Sequence, residues 1–350
     1  MTAEPRVPRP SPTAPDTLAV VMATYDGGRW IGEQLASIAA QTRPPDLLVV
    51  SDDGSTDDTV DVVARFARTA PFPVRLVDGP RTGLADNFWS AAARAGGCEL
   101  IAWADQDDVW EPAKLARCEE ALRRSGAAFA CHSAVVVDDA LRPTGRRFPD
   151  HRRDVVLGPL EGDPWDVPSG FASVFRRELL DGIRWGDRPT SHQTGRPVNH
   201  DHAVSLRAFA GASRVAVADP LARYRQHGGN AAGAPTVHGA ASVRAAMAVG
   251  GAQFRRLAVI ARGYGDHVAG LDGVAPGAAD YFTRLAGRCD LRAASYEPRR
   301  ATRRVRRLAG GLRAGVYAPR TRGGFGPLAL AKDAVDVGVR GLSRSEPAPT

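Results

Sequence analysis

The stretch Leu100-Ile101-Ala102-Trp103-Ala104-Asp105-Gln106-Asp107-Asp108-Val109-Trp110-Glu111-Pro112 decides how the rest of the chain is read. Its first five residues form a short continuous apolar run, the pattern of a strand buried on both faces, and the acidic tetrad follows where that strand ends. Three carboxylates within four residues repel one another unless a hard divalent ion or a strong set of donors neutralises them. Oxygen ligands of this kind suit Mg²⁺ or Mn²⁺, and a small cation so held also grips substrate phosphates. Taken alone, the tetrad has a plainer reading, a solvated acidic turn before a helix opened by Pro112. The flanking sequence favours the cation.

Upstream, strand and helix signals alternate. Leu18 to Thr24 reads as a buried strand, Ile31 to Gln41 as a helix through Ile31, Leu35 and Ile38, and Leu47 to Val50 as a second strand. The turn Asp52-Asp53-Gly54-Ser55 leads to a helix through Val60, Val63 and Phe66, for which Ser55 or Thr56 offers a cap and Asp57 and Asp58 suit the first turn. Val74 to Val77 is a third strand. A helix from about Leu84 to Ala95 stops at Gly96-Gly97, and Leu100 to Ala104 is the fourth strand. This alternation predicts an α/β fold with an open, mostly parallel sheet flanked by helices, in which ligands gather at the carboxyl ends of the strands. Tyr25, Asp52-Asp53 and Asp105 to Asp107 all fall at such ends, so separate stretches of sequence converge on one expected cleft.

The runs Val20 to Gly27, Val50 to Asp57 and Ala104 to Trp110 resemble, in order and spacing, the successive signatures of family-2 glycosyltransferases with the GT-A fold, the fold of nucleotide-diphospho-sugar transferases. Gly83-Leu84-Ala85-Asp86-Asn87-Phe88 and Tyr224 to Asn230 resemble the rhamnosyltransferase-like branch of that family. The resemblance covers roughly Thr17 to Gly233. It implies that Thr24 and Tyr25 lie in the nucleotide-sugar site, with Tyr25 against the base, that Asp53 accepts a hydrogen bond from the base ring N–H, and that Asn87 belongs to the same site. Asp105 approaches the ribose or the metal, Asp107 is the direct metal ligand, and Asp108 supports the turn. The physical sense is plain, since a base edge offering a donor is read by a buried acceptor and its face is covered by an aromatic ring.

Transfer to a hydroxyl with inversion needs a carboxylate to take the proton. Asn199-His200-Asp201-His202 opens the apolar helical run Ala203, Val204, Leu206 and Phe209, and it resembles the family's catalytic acidic motif, which makes Asp201 the candidate base. The pair that is usually Glu-Asp is His200-Asp201 here, leaving His200 to orient Asp201 or to contact the acceptor. His227 follows the expected strand Leu221 to Arg225 in a glycine-rich bend, where a neutral imidazole can complete a metal shell begun by carboxylates. Phe171 to Arg177 resembles the strand beside the acceptor site, placing Ser169 and Gly170 at its border.

The chain of 350 residues carries a net charge of +7 that is unevenly placed, with ten arginines between Leu291 and Phe325 against the single acid Glu297. Such a stretch suits an anionic membrane surface or a polyanionic acceptor, and equally plain solvated helix faces. No zinc-finger or RNA-recognition signature accompanies it, so nucleic acid is not an expected partner. Residues 1–16, rich in proline, read as a flexible lead-in without the apolar core of a secretory signal, 17–233 as the GT-A domain, and 234–345 as a helical, arginine-rich extension. With no membrane-length apolar run and four scattered cysteines, the protein is expected in the cytoplasm, with peripheral contact to the inner membrane face as an option.

The reading is thus an inverting, divalent-cation-dependent transferase that moves a sugar from a nucleotide-sugar donor to a glycan, glycolipid or secondary-metabolite hydroxyl, with dTDP-L-rhamnose the donor the resemblance favours. A nucleotidyltransferase or a non-catalytic sugar-nucleotide binder are the alternatives. A nicotinamide-dependent oxidoreductase is disfavoured because Gly27 to Gly32 lacks the GxGxxG spacing and the tetrad would be unexplained.

Overall fold

The computed structural model describes residues 16–228, 230, 250–296, 301–319 and 324–342. The expected lead-in up to Pro15, the chain around the boundary at Gly233, and Arg299 and Arg300 lie outside the described residues. Ten strands form one sheet: β1 (Leu18–Thr24), β2 (Leu47–Asp52), β3 (Val74–Asp78), β4 (Leu100–Ala104), β5 (Val109–Trp110), β6 (Phe129–Val137), β7 (Pro143–Arg147), β8 (Val155–Leu157), β9 (Ser173–Arg176) and β10 (Arg214–Arg225). Their order is β3-β2-β1-β4-β9-β6-β10-β5, with β7 on β6 and β8 on β10. β3, β2, β1 and β4 run parallel, β9 is antiparallel to both β4 and β6, and β6 pairs parallel with β10.

Helices α1 (Gly28–Ala39), α2 (Thr59–Ala67), α3 (Leu84–Ala93), α4 (Lys114–Ser125) and α5 (His200–Gly211) flank the sheet. Strand periodicity sorts the core into two layers. On one face Leu18, Val20 and Met22 of β1 pack with Ile31, Leu35 and Ile38 of α1 and with Leu115 and Leu122 of α4. On the other, Ala19, Val21 and Ala23 pack with Phe88 of α3, Trp103, and Val204 and Phe209 of α5. Every residue of β1 is buried, which is why its sequence is continuously apolar rather than alternating.

The second layer continues into the C-terminal region. Helices α6 (Gly251–Ala269) and α7 (Ala278–Ser295) place Ile260, Tyr264, Val268, Phe282 and Leu285 in the same cluster as α3 and α5. Two further helices follow, α8 (Ala301–Arg313) and α9 (Pro327–Leu342). Among the described residues no helix is long and apolar enough to cross a membrane. All four cysteines are buried and unbridged.

Two of the differences between local expectation and structure bear on the site. Helix α2 begins at Thr59, so Ser55 and Thr56 do not cap it, and Asp57 and Asp58 precede its first turn. Ser55 is drawn instead to the Asp52 carboxylate at 2.5 Å, and Asp57 accepts the Thr59 N–H at 3.0 Å and the Gly28 N–H at 2.9 Å, joining the first and second loops. The expected strand from Phe171 shortens to β9, because Gly170–Ala172 form a 3₁₀ turn whose Phe171 carbonyl accepts the buried Lys114 ammonium at 2.6 Å.

The C-terminal helices are tied by a buried ion pair. Asp333 on α9 accepts Arg292 Nε at 2.9 Å and Nη2 at 3.2 Å, and also the hydroxyls of Tyr296 and Tyr317 at 2.5 and 2.8 Å. Removing one partner of such a pair strands the other charge in low dielectric. Asp333→Ala is therefore expected to destabilise the C-terminal helices by about 3–5 kcal/mol, read as a lower denaturation midpoint for this region, whereas an unchanged midpoint would place the pair in solvent.

Candidate active site

The carboxyl ends of β1, β2 and β4 open on a cavity of about 700 Å³. At the end of β1, Thr24 Oγ1 donates to Asp52 Oδ1 at 2.8 Å, and Asp52 Oδ2 accepts the N–H groups of Gly54 and Ser55 at 3.1 and 2.8 Å. Asp52 is thus spent on its own turn, while the neighbouring Asp53 lines the cavity. Asp53 is held in place by the N–H groups of Arg81 and Gly83 at 2.6 and 3.0 Å. Asn87, buried on α3, donates its amide to the carbonyls of Ser51 at 2.9 Å and Thr24 at 3.4 Å, fixing the ends of β2 and β1.

Tyr25 presents a ring that is 58% exposed at the cavity edge. Its backbone is held by Gln106, the one uncharged member of the tetrad, whose amide accepts the Tyr25 N–H at 3.0 Å and donates to the Tyr25 carbonyl at 2.9 Å. This bridge explains Gly27, because a Cβ there would lie 2.2 Å from Gln106 Oε1. Nothing in the sequence pattern singled out Gln106, whose role exists only once β1 and β4 are neighbours.

Asp105, Asp107 and Asp108 each offer a carboxylate oxygen, and these atoms lie within 4.8 Å of one another. The three are not equivalent. Asp108 turns fully inward, accepting the Arg225 N–H at 3.0 Å on one oxygen, while its other oxygen is buried without a protein partner. Asp107 faces the cavity, with His227 Nε2 at 2.8 Å and Asn230 Nδ2 at 3.3 Å from the same oxygen. Burial pushes the Asp105 carboxyl up to about 7, helped by the charges of Asp107 and Asp201. Asp108 is raised well above the ordinary carboxylate range by burial and by the same neighbours, Asp107 and Asp105. Lys114, fully buried beneath, is pushed down to about 7 by the loss of water. Packed carboxyl oxygens, one of them orphaned, with an imidazole alongside, fit a hard divalent cation.

The tetrad and His227 are braced from outside the cavity. Arg225, 2% exposed at the end of β10, donates Nε to the Asp107 carbonyl at 2.7 Å and Nη1 to the Asp139 carbonyl at 2.6 Å, and pairs with Glu33 of α1. Asp139 in turn accepts Trp30 Nε1 at 2.8 Å, and the Trp30 ring stacks on His227 with centroids 3.9 Å apart. Sequence reading missed Arg225, Glu33, Trp30 and Lys114, since each acquires its part through a contact distant along the chain.

The far side of the cavity is built by the N-terminus of α5 and the turn before β9. Asp201 Oδ2 accepts the Gly170 N–H at 3.2 Å and Oδ1 the His202 N–H at 2.7 Å, so the carboxylate is oriented while facing the cavity. His200 is buried with its ring stacked on Phe88 at 3.9 Å, and neither ring nitrogen has a protein partner. Desolvation pushes it down to about 4, so it is neutral near pH 7. Ser169 and Gly170 line the same wall, and a Cβ at Gly170 would sit 3.1 Å from His200 Nε2. The structure therefore brings Thr24, Tyr25, Asp53, Asn87, Asp105, Asp107, Ser169, Gly170, His200 and Asp201 to one cavity, with His227 adjoining through Asp107.

A sheet of this order with an acidic turn at the end of β4 defines a GT-A sugar-nucleotide transferase fold. Residues 19–184 match the family model described as Glycosyl transferase family 2, and the chain carries a family-2 glycosyltransferase domain. It is 28% identical over 219 residues to an uncharacterised glycosyltransferase, alr2836, of Nostoc sp., covering 61% of this chain and 66% of that one. It is 32% identical over 130 residues to the dTDP-rhamnosyl transferase RfbG of Shigella flexneri, covering 36% of this chain and 44% of that one. The matches thus span less than two thirds of either relative. The crystal structure of S. aureus TarS 1-349 in complex with UDP-GlcNAc superposes with a TM-score of 0.55 at 16% identity, covering 93% of this chain and 91% of that one, a likeness of fold.

A cation competes with protons for these carboxylates. Because burial raises Asp105 in the folded state, its contribution to stability is complete below about pH 4 and is lost as pH rises toward 7, and Asp108, also raised, acts in the same direction. Mn²⁺ should therefore raise the melting temperature more at about pH 7.5 than at about pH 5.5. Asp107→Ala should abolish the rise, and an equal rise in variant and parent would move the cation elsewhere.

Proposed function

We propose that the protein is an inverting glycosyltransferase that moves a sugar from a nucleoside-diphosphate donor to an acceptor hydroxyl. The observation that carries this reading is the facing of two carboxylate sites across one cavity, the acidic turn after β4 and Asp201 at the head of α5. The nucleotide half is Thr24, Tyr25, Asp53, Asn87 and Asp105. Tyr25 offers an exposed ring to cover a base, and Asp53 is an acceptor fixed by backbone N–H groups beside it. Asp107 and His227, with Asp105 beside them, would hold Mg²⁺ or Mn²⁺, which when bound supplies compensation for the charge of the departing diphosphate.

Asp201 takes the proton of the acceptor hydroxyl as its oxygen bonds to the anomeric carbon and the bond from that carbon to the diphosphate oxygen breaks. Two N–H groups orient the carboxylate and leave lone pairs free to face the cavity. His200, with a neutral imidazole lacking protein partners, supplies a donor and an acceptor to a sugar hydroxyl on the acceptor side, where Ser169 and Gly170 form the border. For the donor, dTDP-L-rhamnose is favoured by the resemblance of Gly83 to Phe88 and Tyr224 to Asn230 and by the similarity to RfbG. The acceptor class is a glycan, a glycolipid or a secondary metabolite.

Asp201→Asn keeps the shape and removes proton acceptance, so nucleotide affinity should persist while turnover falls by about two orders of magnitude or more. Release of nucleoside diphosphate from a panel of dTDP-, UDP- and GDP-sugars measures both the donor and this loss. Unchanged turnover would transfer the base elsewhere, and no release from any donor would favour a non-catalytic binder.

If the acceptor is lipid-linked, the arginines of α8 suit the inner membrane face, where Arg303, Arg306 and Arg307 are exposed around Val305. Replacing these three by Gln should weaken recovery on anionic vesicles, more so at low salt, and leave donor turnover intact. Equal recovery of variant and parent would refute membrane contact through this helix.

A further inference from the structure

Tyr264 lies on α6, outside the segment 19–184 that matches the family model, and is fully buried. Its ring packs against Phe282 with centroids 5.8 Å apart and against Trp165 at 6.1 Å. Its hydroxyl oxygen lies 3.1 Å from His202 Nε2, 3.3 Å from His192 Nδ1 and 3.4 Å from the His192 backbone nitrogen. A phenol has one proton to give and two lone pairs, so it satisfies all three by donating to one imidazole and accepting from the other and from the N–H. That assignment needs the imidazole that accepts the phenol proton to be neutral. Burial achieves this, pushing His202 down to about 4 and lowering His192 as well.

The two histidines belong to the two walls of the acceptor half. His202 directly follows Asp201, and its own N–H is one of the groups orienting that carboxylate. His192 sits in the segment 189–198, a compact loop closed by Ser191 N–H on the Arg196 carbonyl at 2.7 Å and Val198 N–H on the Pro189 carbonyl at 2.9 Å. Its neighbours Ser191, Gln193 and Thr194 line the cavity. These partners of the hydroxyl all lie on the acceptor side, whereas the nucleotide half hangs on the ends of β1, β2 and β4.

We infer that Tyr264 is a positioning residue for the acceptor half of the cavity, through which the C-terminal helices set the shape of the 189–198 wall and hence which hydroxyl compound is admitted. The acceptor assignment of that half rests on the proposed function, while the link from Tyr264 to the loop rests on geometry alone. Tyr264→Phe keeps the ring in its aromatic setting and removes only the oxygen that joins the two walls.

In full-length Tyr264→Phe protein, the amides of residues 190–196 should exchange with deuterium about tenfold faster, the scale of one lost hydrogen-bond partner, while those of 50–58 and 105–110 keep the parent rate. Affinity for dTDP with Mn²⁺ should stay unchanged. In transfer to p-nitrophenyl glycosides, the acceptor KM should rise about tenfold with the donor KM unaltered. His192→Gln, which alters the loop without touching the helix core, should reproduce the local loosening and serves as the deciding variant if Tyr264→Phe does not fold. Parent-like exchange at 190–196, or loosening across both halves together with lost dTDP affinity, would overturn the inference. Failure of the parent to bind dTDP would count against the proposed donor and leave the exchange result to judge Tyr264.

Discussion

Mutual repulsion among Asp105, Asp107 and Asp108 is the constraint on which the site depends. Carboxylate oxygens confined within 4.8 Å at the end of a fully buried strand are costly to keep ionised, and the fold answers by surrounding them. Arg225 ties down the backbone of the turn, Lys114 lies beneath it, and His227 with Asn230 meets the oxygen of Asp107 that faces the cavity. The distant Glu33, Trp30 and Asp139 are recruited to hold those groups in turn. A turn assembled in this way is preorganised, so a cation entering it meets ligands that need little rearrangement.

The same economy joins the loops at the strand ends. Gln106 holds Tyr25, Asp57 holds Gly28, and Asn87 spans the carbonyls closing β1 and β2. Each contact satisfies a backbone group at the end of a strand or just beyond it, and those of Gln106 and Asn87 join residues that line the cavity. Structural and functional demands coincide here because a parallel sheet gathers all its loose ends on one side.

The opposite wall obeys different logic. Asp201 and His200 stand at the start of a helix, and the buried histidines there have aromatic surroundings, with Phe88 and Trp103 against His200 and Tyr264 behind His202. Low dielectric keeps the imidazoles neutral and makes their hydrogen bonds directional, a setting suited to sorting hydroxyl groups rather than to binding charge. The cavity thus has one wall of clustered carboxylates and one wall where buried imidazoles surround Asp201.

By itself the sequence determined the layered α/β plan and the placement of acids at strand ends, because burial on both faces of β1 and β4 demands continuous apolar runs and a carboxylate can follow only where a run stops. Strands β1 and β4 begin and end at the residues that the apolar runs of Leu18 and Leu100 indicate. The early motifs were legible for the same reason, being local stretches whose spacing is set by a single turn. Tertiary structure alone decided the insertion of β9 between β4 and β6, the start of α2 at Thr59 after its capping candidates were drawn to Asp52 and Asp26, and the recruitment of Arg225, Lys114, Gln106 and Tyr264. Those outcomes depend on which polar groups meet across tens or hundreds of intervening residues, and a hydrogen bond between chain-distant partners leaves no periodicity to be read.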